Sequence, residues 1–252
     1  MKPLQTDMSI YEKFAFEKPA IGFKFLLKKP DGIEQLDKSM ALCEMINEAQ
    51  VRNAPFYATK DNEDCAGALM IGMAQREYSV GGGELGVRYG IFDEPRANER
   101  LAEYSPHMAP GAVKYVAFSP VDKLTFEPDL LFLLTDTPQA EIVLRAMSYS
   151  TGQPWTSKAT SVGACAWIFV YPYQSGTVNY VPTGLTFGLK CKKVYPEGRM
   201  LFSIPYDWIP VITRNLERME WVLPSYTDKT RAEFHVRRQG IFESLERDFR
   251  DA

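Results

Sequence analysis

The sequence predicts an α/β protein, with a segregated α+β arrangement as the alternative, built around one hydrophobic core. Three observations carry that reading. Apolar runs of strand length, such as Ala20 to Leu27 and Leu130 to Leu134, alternate with longer segments whose apolar residues recur at helical spacing. Turn-forming Pro, Gly, Asn and Asp residues punctuate the boundaries. The chain has 252 residues, 45% of them hydrophobic and 24% charged, so it fills one large core without compositional signs of disorder.

Ala20 to Leu27 reads as a strand closed by Pro30, Asp31 and Gly32. A helix is expected over 35–51, where Leu36, Met40, Cys43 and Ile46 share a face, with Asn53 at its end. Pro55 to Ala58 suggests a short strand, and Asp64 caps an expected short helix over 65–73. A glycine-punctuated β segment over 77–92 follows, then a helix from Pro95 to Tyr104 with proline in its first turn. Val113 to Phe118 and Leu130 to Leu134 are strand-sized. Thr137 and Pro138 start a helix with a buried stripe of Ala140, Val143, Leu144 and Met147, and Gly152 lies just past its end. The run 165–171 fits either helix or strand; 178–192 and 200–204 read as strands. Asp207 caps the last core helix, with Ile209, Ile212, Leu216 and Met219 inward and Pro224 as its stop.

The organisation is therefore one domain over 1–224 and a helical extension over 225–252. The extension is charge-dense, with six basic and six acidic side chains after Thr227 and an apolar stripe of Phe234, Ile241, Leu245 and Phe249. Gly240 interrupts it at a cost of about 1 kcal/mol relative to alanine. That stripe is expected to pack on the domain or on a second subunit of a homo-oligomer. An internal duplication is also expected, with repeats over 20–92 and 129–192 about a pseudo-twofold axis.

The net charge of −3 gives no general attraction for nucleic acid or an anionic membrane. No apolar run approaches the ~18 to 20 residues of a membrane span. The polar N-terminus lacks a secretory pattern, so the expected location is cytoplasmic, where four cysteines stay reduced.

No standard catalytic motif is present, so no catalytic residue is assigned and enzymatic activity is left open. Gly81, Gly83 and Gly86 have the G-x-G-x-x-G spacing, but 87–92 reads as a strand where a dinucleotide site needs a helix N-terminus. His107 sits in a proline-flanked loop. Cys43 lies on an apolar helical stripe, where a buried small hydrophobe is the ordinary role. Cys65 and Cys165 each precede alanine at the start of an expected short helix, where free N–H groups favour the thiolate. Lys190, Lys192 and Lys193 surround Cys191 and act in the same direction. Four thiolates suit zinc or an iron–sulfur cluster, although their spacing is not a ligand signature. The competing reading is a small anionic ligand held by helix N-termini and Arg88, Lys190 or Lys193.

PAIGFKFL (19–26), ALCEMINEAQ (41–50), DCAGALMIGM (64–73), EPDLLFLLTDTPQAEIVLRAMSYSTG (127–152), GACAWIFVYPYQSG (163–176) and FSIPYDWIPVITRNLE (202–217) resemble the domain of unknown function 169 family. The most specific piece is Asp129 with Pro138, Gln139 and Ala140. The family is mostly archaeal and anaerobic bacterial and has no established activity. The resemblance implies cysteine at 43, 65, 165 and 191, which strengthens the metal reading; Lys192, where glycine is expected, weakens Cys191. Cys65 and Cys165 are accordingly expected to share a pocket near the pseudo-twofold axis.

Overall fold

A computed structural model describes residues 3–14, 16–75 and 83–250. Its centre is a six-stranded sheet of β1 (Ile21–Leu26), β2 (Phe56–Ala58), β3 (Tyr115–Pro120), β4 (Leu130–Thr135), β5 (Asn179–Pro182) and β6 (Met200–Pro205), in the order β2-β3-β1-β4-β6-β5. Every strand pair is antiparallel. The architecture is thus mixed α and β around an antiparallel sheet.

Both faces of the sheet are covered, so the central strands read as unbroken apolar runs instead of alternating ones. Leu130, Phe132 and Leu134 of β4 face a cluster that includes Phe23, Phe118 and Phe169. Phe23 meets Phe118, Phe132 and Phe169 at ring-centroid distances of 4.9, 5.7 and 5.0 Å. The intervening Leu131 and Leu133 are equally buried on the other side.

The helices divide between the faces. Helix α1 (Leu42–Arg52) places Leu42, Cys43, Met45, Ile46 and Ala49 in the aromatic cluster. It starts seven residues later than expected, because 35–41 is extended: Leu36 N donates to Tyr57 O at 2.8 Å and Met40 N to Asn62 O at 2.8 Å. Asn53 ends it in the left-handed conformation. The short α2 (Gly67–Met70) has Ala66, not Asp64, at its N-cap. Helices α3 (Glu84–Arg88) and α4 (Pro95–Tyr104) follow. The expected β segment over 77–92 is corrected in its second half: Gly83 is left-handed and opens α3, while 76–82 lie outside the described residues.

Helix α5 (Thr137–Tyr149) covers the opposite face. Its cap is Asp136, one residue before the expected Thr137: Asp136 Oδ1 accepts from Gln139 N at 2.8 Å, and Gln139 Oε1 accepts from Asp136 N at 3.1 Å. Residues 164–165 begin a helical stretch that widens into a π turn, Ala166–Val170, and continues as α6 (Tyr171–Ser175). Of the β segment expected over 178–192 only β5 is extended; Phe187–Lys192 is helix α7. Helix α8 (Ile209–Arg218) follows a 3-10 turn at Tyr206–Trp208 and joins α5, its Asn215 donating to Ala146 O at 2.8 Å.

The strand order gives β1 and β4 equivalent central places, but the segments do not correspond element for element. Helix α1 lies on the aromatic face whereas α5 lies with α8 on the other. β2 precedes the Cys65 segment whereas β5 follows the Cys165 helix. The expected duplication is not established by this architecture.

By chain contacts the protein divides into two units, Met1–Glu217 and Arg218–Ala252. The second contains α9 (Arg231–Arg250), the helix expected in the extension. No residue of α9 is buried, so the packing expected of Phe234, Ile241, Leu245 and Phe249 is not found within the chain. No helix among the described residues is long and apolar enough to cross a membrane.

Candidate functional site

Three of the four cysteines converge from segments more than 20 residues apart. Cys43 is the second residue of α1 and is buried. Cys165, buried at the head of the π turn, shares a thiol–thiol hydrogen bond with Cys43. Cys65 stands exposed just before α2, close enough for its charge to bear on Cys165. Two thiols therefore form a floor and one stands at the mouth.

Glu63 completes the group. Its Oε1 accepts from Leu42 N at 3.3 Å and Gly67 N at 3.1 Å, the first amides of α1 and α2. Its Oε2 is buried without a hydrogen-bond partner. Gly67 makes this possible: a Cβ there would stand 2.7 Å from Glu63 Oε1 and 2.7 Å from Leu42 Cβ. One carboxylate thus joins the starts of two helices and leaves an oxygen beside the cysteine backbones.

The surrounding segments are held by fully used amides. Asn62 Nδ2 donates to Leu36 O at 2.9 Å and Lys38 O at 3.0 Å, while its Oδ1 accepts from Thr59 N at 3.0 Å. The buried Asn179 Nδ2 donates to Trp167 O at 2.8 Å inside the π turn, and Trp167 Nε1 donates to Thr160 Oγ1 at 2.6 Å. A π turn widens the helix and leaves a carbonyl to be satisfied from outside; Asn179 supplies the donor. Tyr195, also buried, donates to Cys43 O at 3.1 Å.

The electrostatics overturn the expectation of thiolates at helix starts. Cys165 is held well above the ordinary thiol value, first by its hydrogen bond with Cys43, then by burial and by the charges of Cys43, Glu63 and Cys65. Burial raises Cys65 as well; Glu63 and Cys43 add to the rise, while the Ala66 amide and Lys192 oppose it. Burial also raises Glu63 against the amides of Ala68, Leu42, Cys65 and Gly67. Helix amides do favour charge here, but four acidic groups crowded into low dielectric disfavour it more.

Cys191 is exposed on α7, and its neighbour Lys192 provides the link to the group. Lys192 Nζ lies 3.2 Å from Glu44 Oε2 and 3.8 Å from Asp64 Oδ1. Burial acts downward on Lys192, but the Glu44 hydrogen bond and the charges of Glu44, Asp64 and Cys65 prevail and raise it. Of the cations considered for an anionic ligand, Arg88 and Lys193 are exposed, and Lys190 pairs with Glu197 at 3.5 Å. His107 approaches only its own loop, with Nδ1 3.3 Å from Ser105 O. Among the described residues no three His, Cys, Asp or Glu side chains already stand as ligands around one metal ion.

Sequence comparison places these residues in a family context. The domain of unknown function 169 family, described as "Uncharacterised ArCR", matches residues 9–215. The chain belongs to this family. It is also similar to an uncharacterized protein of Methanocaldococcus jannaschii, 26% identical over 219 residues that cover 84% of this chain and 93% of the relative. No solved structure matches. All three converging cysteines and Glu63 lie within the family match.

Sequence reading missed Glu63, Gly67 and Asn62. Glu63 lies between Asp61 and Asp64 in a stretch that reads as solvated and acidic. Its proximity to Cys65 was the available signal.

Proposed function

We propose that this protein binds a metal through a thiolate centre made of Cys43, Cys65 and Cys165, either an iron–sulfur cluster or a single soft ion such as zinc. One observation carries the reading: three cysteines from separate segments meet around a buried carboxylate oxygen that has no partner. In the empty site the acidic groups keep their protons because no positive charge offsets them. A metal cation reverses that balance, displacing the thiol protons and replacing them with metal–sulfur bonds. Cys65, exposed at the mouth, turns inward to close the site, and Lys192 offsets part of the accumulated negative charge. Cys191 is left out.

Protein purified without oxygen and reconstituted with iron and sulfide, or with zinc, tests this. The expected result is stoichiometric metal, with visible charge-transfer absorbance in the iron–sulfur case. Cys43→Ala, Cys65→Ala and Cys165→Ala each lose most of it, and Cys191→Ala retains it. Equal retention in all four variants would sink the proposal.

A second reading concerns assembly and rests on α9. Its Phe234, Val236, Ile241, Phe242, Leu245 and Phe249 are all exposed. Residues 228–239 carry four basic and two acidic side chains, and 240–251 carry two basic and four acidic. An antiparallel pairing with the same helix of a second copy sets each half against its opposite charge and covers the apolar side chains. We therefore read α9 as a homodimer contact.

A further inference from the structure

We propose that Glu63 is the oxygen ligand of this centre, which makes its protein donor set three cysteine sulfurs and one carboxylate oxygen. The inference rests on the thiolate reading above and adds a ligand that the cysteine pattern does not contain.

The placement of Glu63 is the argument. Oε1 is occupied by Leu42 N and Gly67 N, so the carboxylate is anchored and its orientation fixed. Leu42 immediately precedes Cys43, and Gly67 lies two residues after Cys65, so the anchored oxygen sits between the backbones of two of the thiol residues. The other oxygen, Oε2, is shielded from water and accepts nothing. A buried polar atom without a partner costs about 1–3 kcal/mol, more when charged, and native proteins rarely leave one unused. A cation beside the thiols supplies the partner and neutralises the carboxylate.

Gly67 supports the same conclusion. A side chain at 67 would occupy the space between Glu63 Oε1 and Leu42, so glycine there keeps the carboxylate against both helix starts. Two other acidic groups nearby are already committed: Glu44 Oε2 accepts from Ala41 N at 2.8 Å and pairs with Lys192, and Asp64 also reaches Lys192. Glu63 keeps one oxygen for a ligand. Its anchoring before metal arrives makes it an oriented ligand of the kind that second-shell hydrogen bonds provide in metal sites.

Cobalt(II) is the probe, titrated anaerobically into the full-length chain. In the wild type, sulfur-to-cobalt charge-transfer bands report the thiolates, and X-ray absorption reports a first shell of three sulfurs and one oxygen. Glu63→Gln keeps an oxygen for the two amides but replaces the other with an NH2 group, which cannot ligate. It is expected to bind cobalt at least tenfold more weakly with a shifted visible spectrum, whereas Asp64→Asn changes neither. Wild-type affinity and spectrum in Glu63→Gln overturn the proposal, as does a four-sulfur shell in the wild type; the shell measurement stands even if the variant does not fold. Absence of the charge-transfer bands in the wild type defeats the thiolate reading itself and the Glu63 assignment with it.

Discussion

Glu63 is the residue on which most of the local physics turns. Folded, it holds its proton to higher pH than the ordinary 4.5, because burial disfavours its charged form. Its contribution to stability is therefore fully present below about pH 4.5 and is lost as pH rises through its folded value. The raised thiols of Cys65 and Cys165 act in the same sense at higher pH, losing stability as pH climbs from about 9. Glu63→Gln in the metal-free protein is expected to flatten the fall between acid and neutral pH, read from urea midpoints. A midpoint that falls as steeply in the variant would assign the pH dependence to another group. Little of this is visible in the sequence. Cys65 and Cys165 stand out by their Cys-Ala context, but a carboxylate in Asp-Asn-Glu-Asp looks solvated until the fold wraps α1 and α2 around it.

The elements that build the site were legible in proportion to how local their causes are. Helices α4 and α5 follow from proline near the N-terminus and from periodic apolar residues, and β1, β4 and β6 from strand-length apolar runs. Asp136 took the cap expected of Thr137 because its shorter link to the backbone allows the reciprocal pair with Gln139. Helices α3 and α7 were misread as strands because glycine and β-branched residues suggested hairpins, whereas each is one or two turns fixed by tertiary contact, including Tyr89 against Phe187 at 5.1 Å. Residues 35–41 show the same limit: their apolar spacing is helical, but Asn62 draws them into an extended path. Asn62→Ala strips donors from the Leu36 and Lys38 carbonyls and is expected to destabilise the protein by about 2–3 kcal/mol. Because Asn62 directly precedes Glu63, cobalt affinity should fall with it. Unchanged denaturant midpoint and affinity would show that the segment holds its path without Asn62.

At the scale of the whole molecule, the sheet buries apolar residues on both faces within Met1–Glu217, and this unit does not depend on α9 for any buried side chain of the helix. Stability and assembly should therefore separate experimentally. Large apolar side chains withdrawn from water contribute about 1.5–3 kcal/mol each, so six of them offered by two copies of α9 are enough to hold a dimer against the cost of association. Charge pairing between the basic and acidic halves sets the antiparallel direction and is weakened by salt. Leu245→Asp combined with Phe242→Asp places two carboxylates in the middle of that contact, where they have no cation to meet. The wild type is expected to elute as a dimer and the double variant as a monomer, with the thermal midpoint of the sheet unchanged within a few degrees. A wild type that is monomeric at tens of micromolar, or a double variant that unfolds earlier while keeping its elution volume, would instead place the partner of α9 within its own chain.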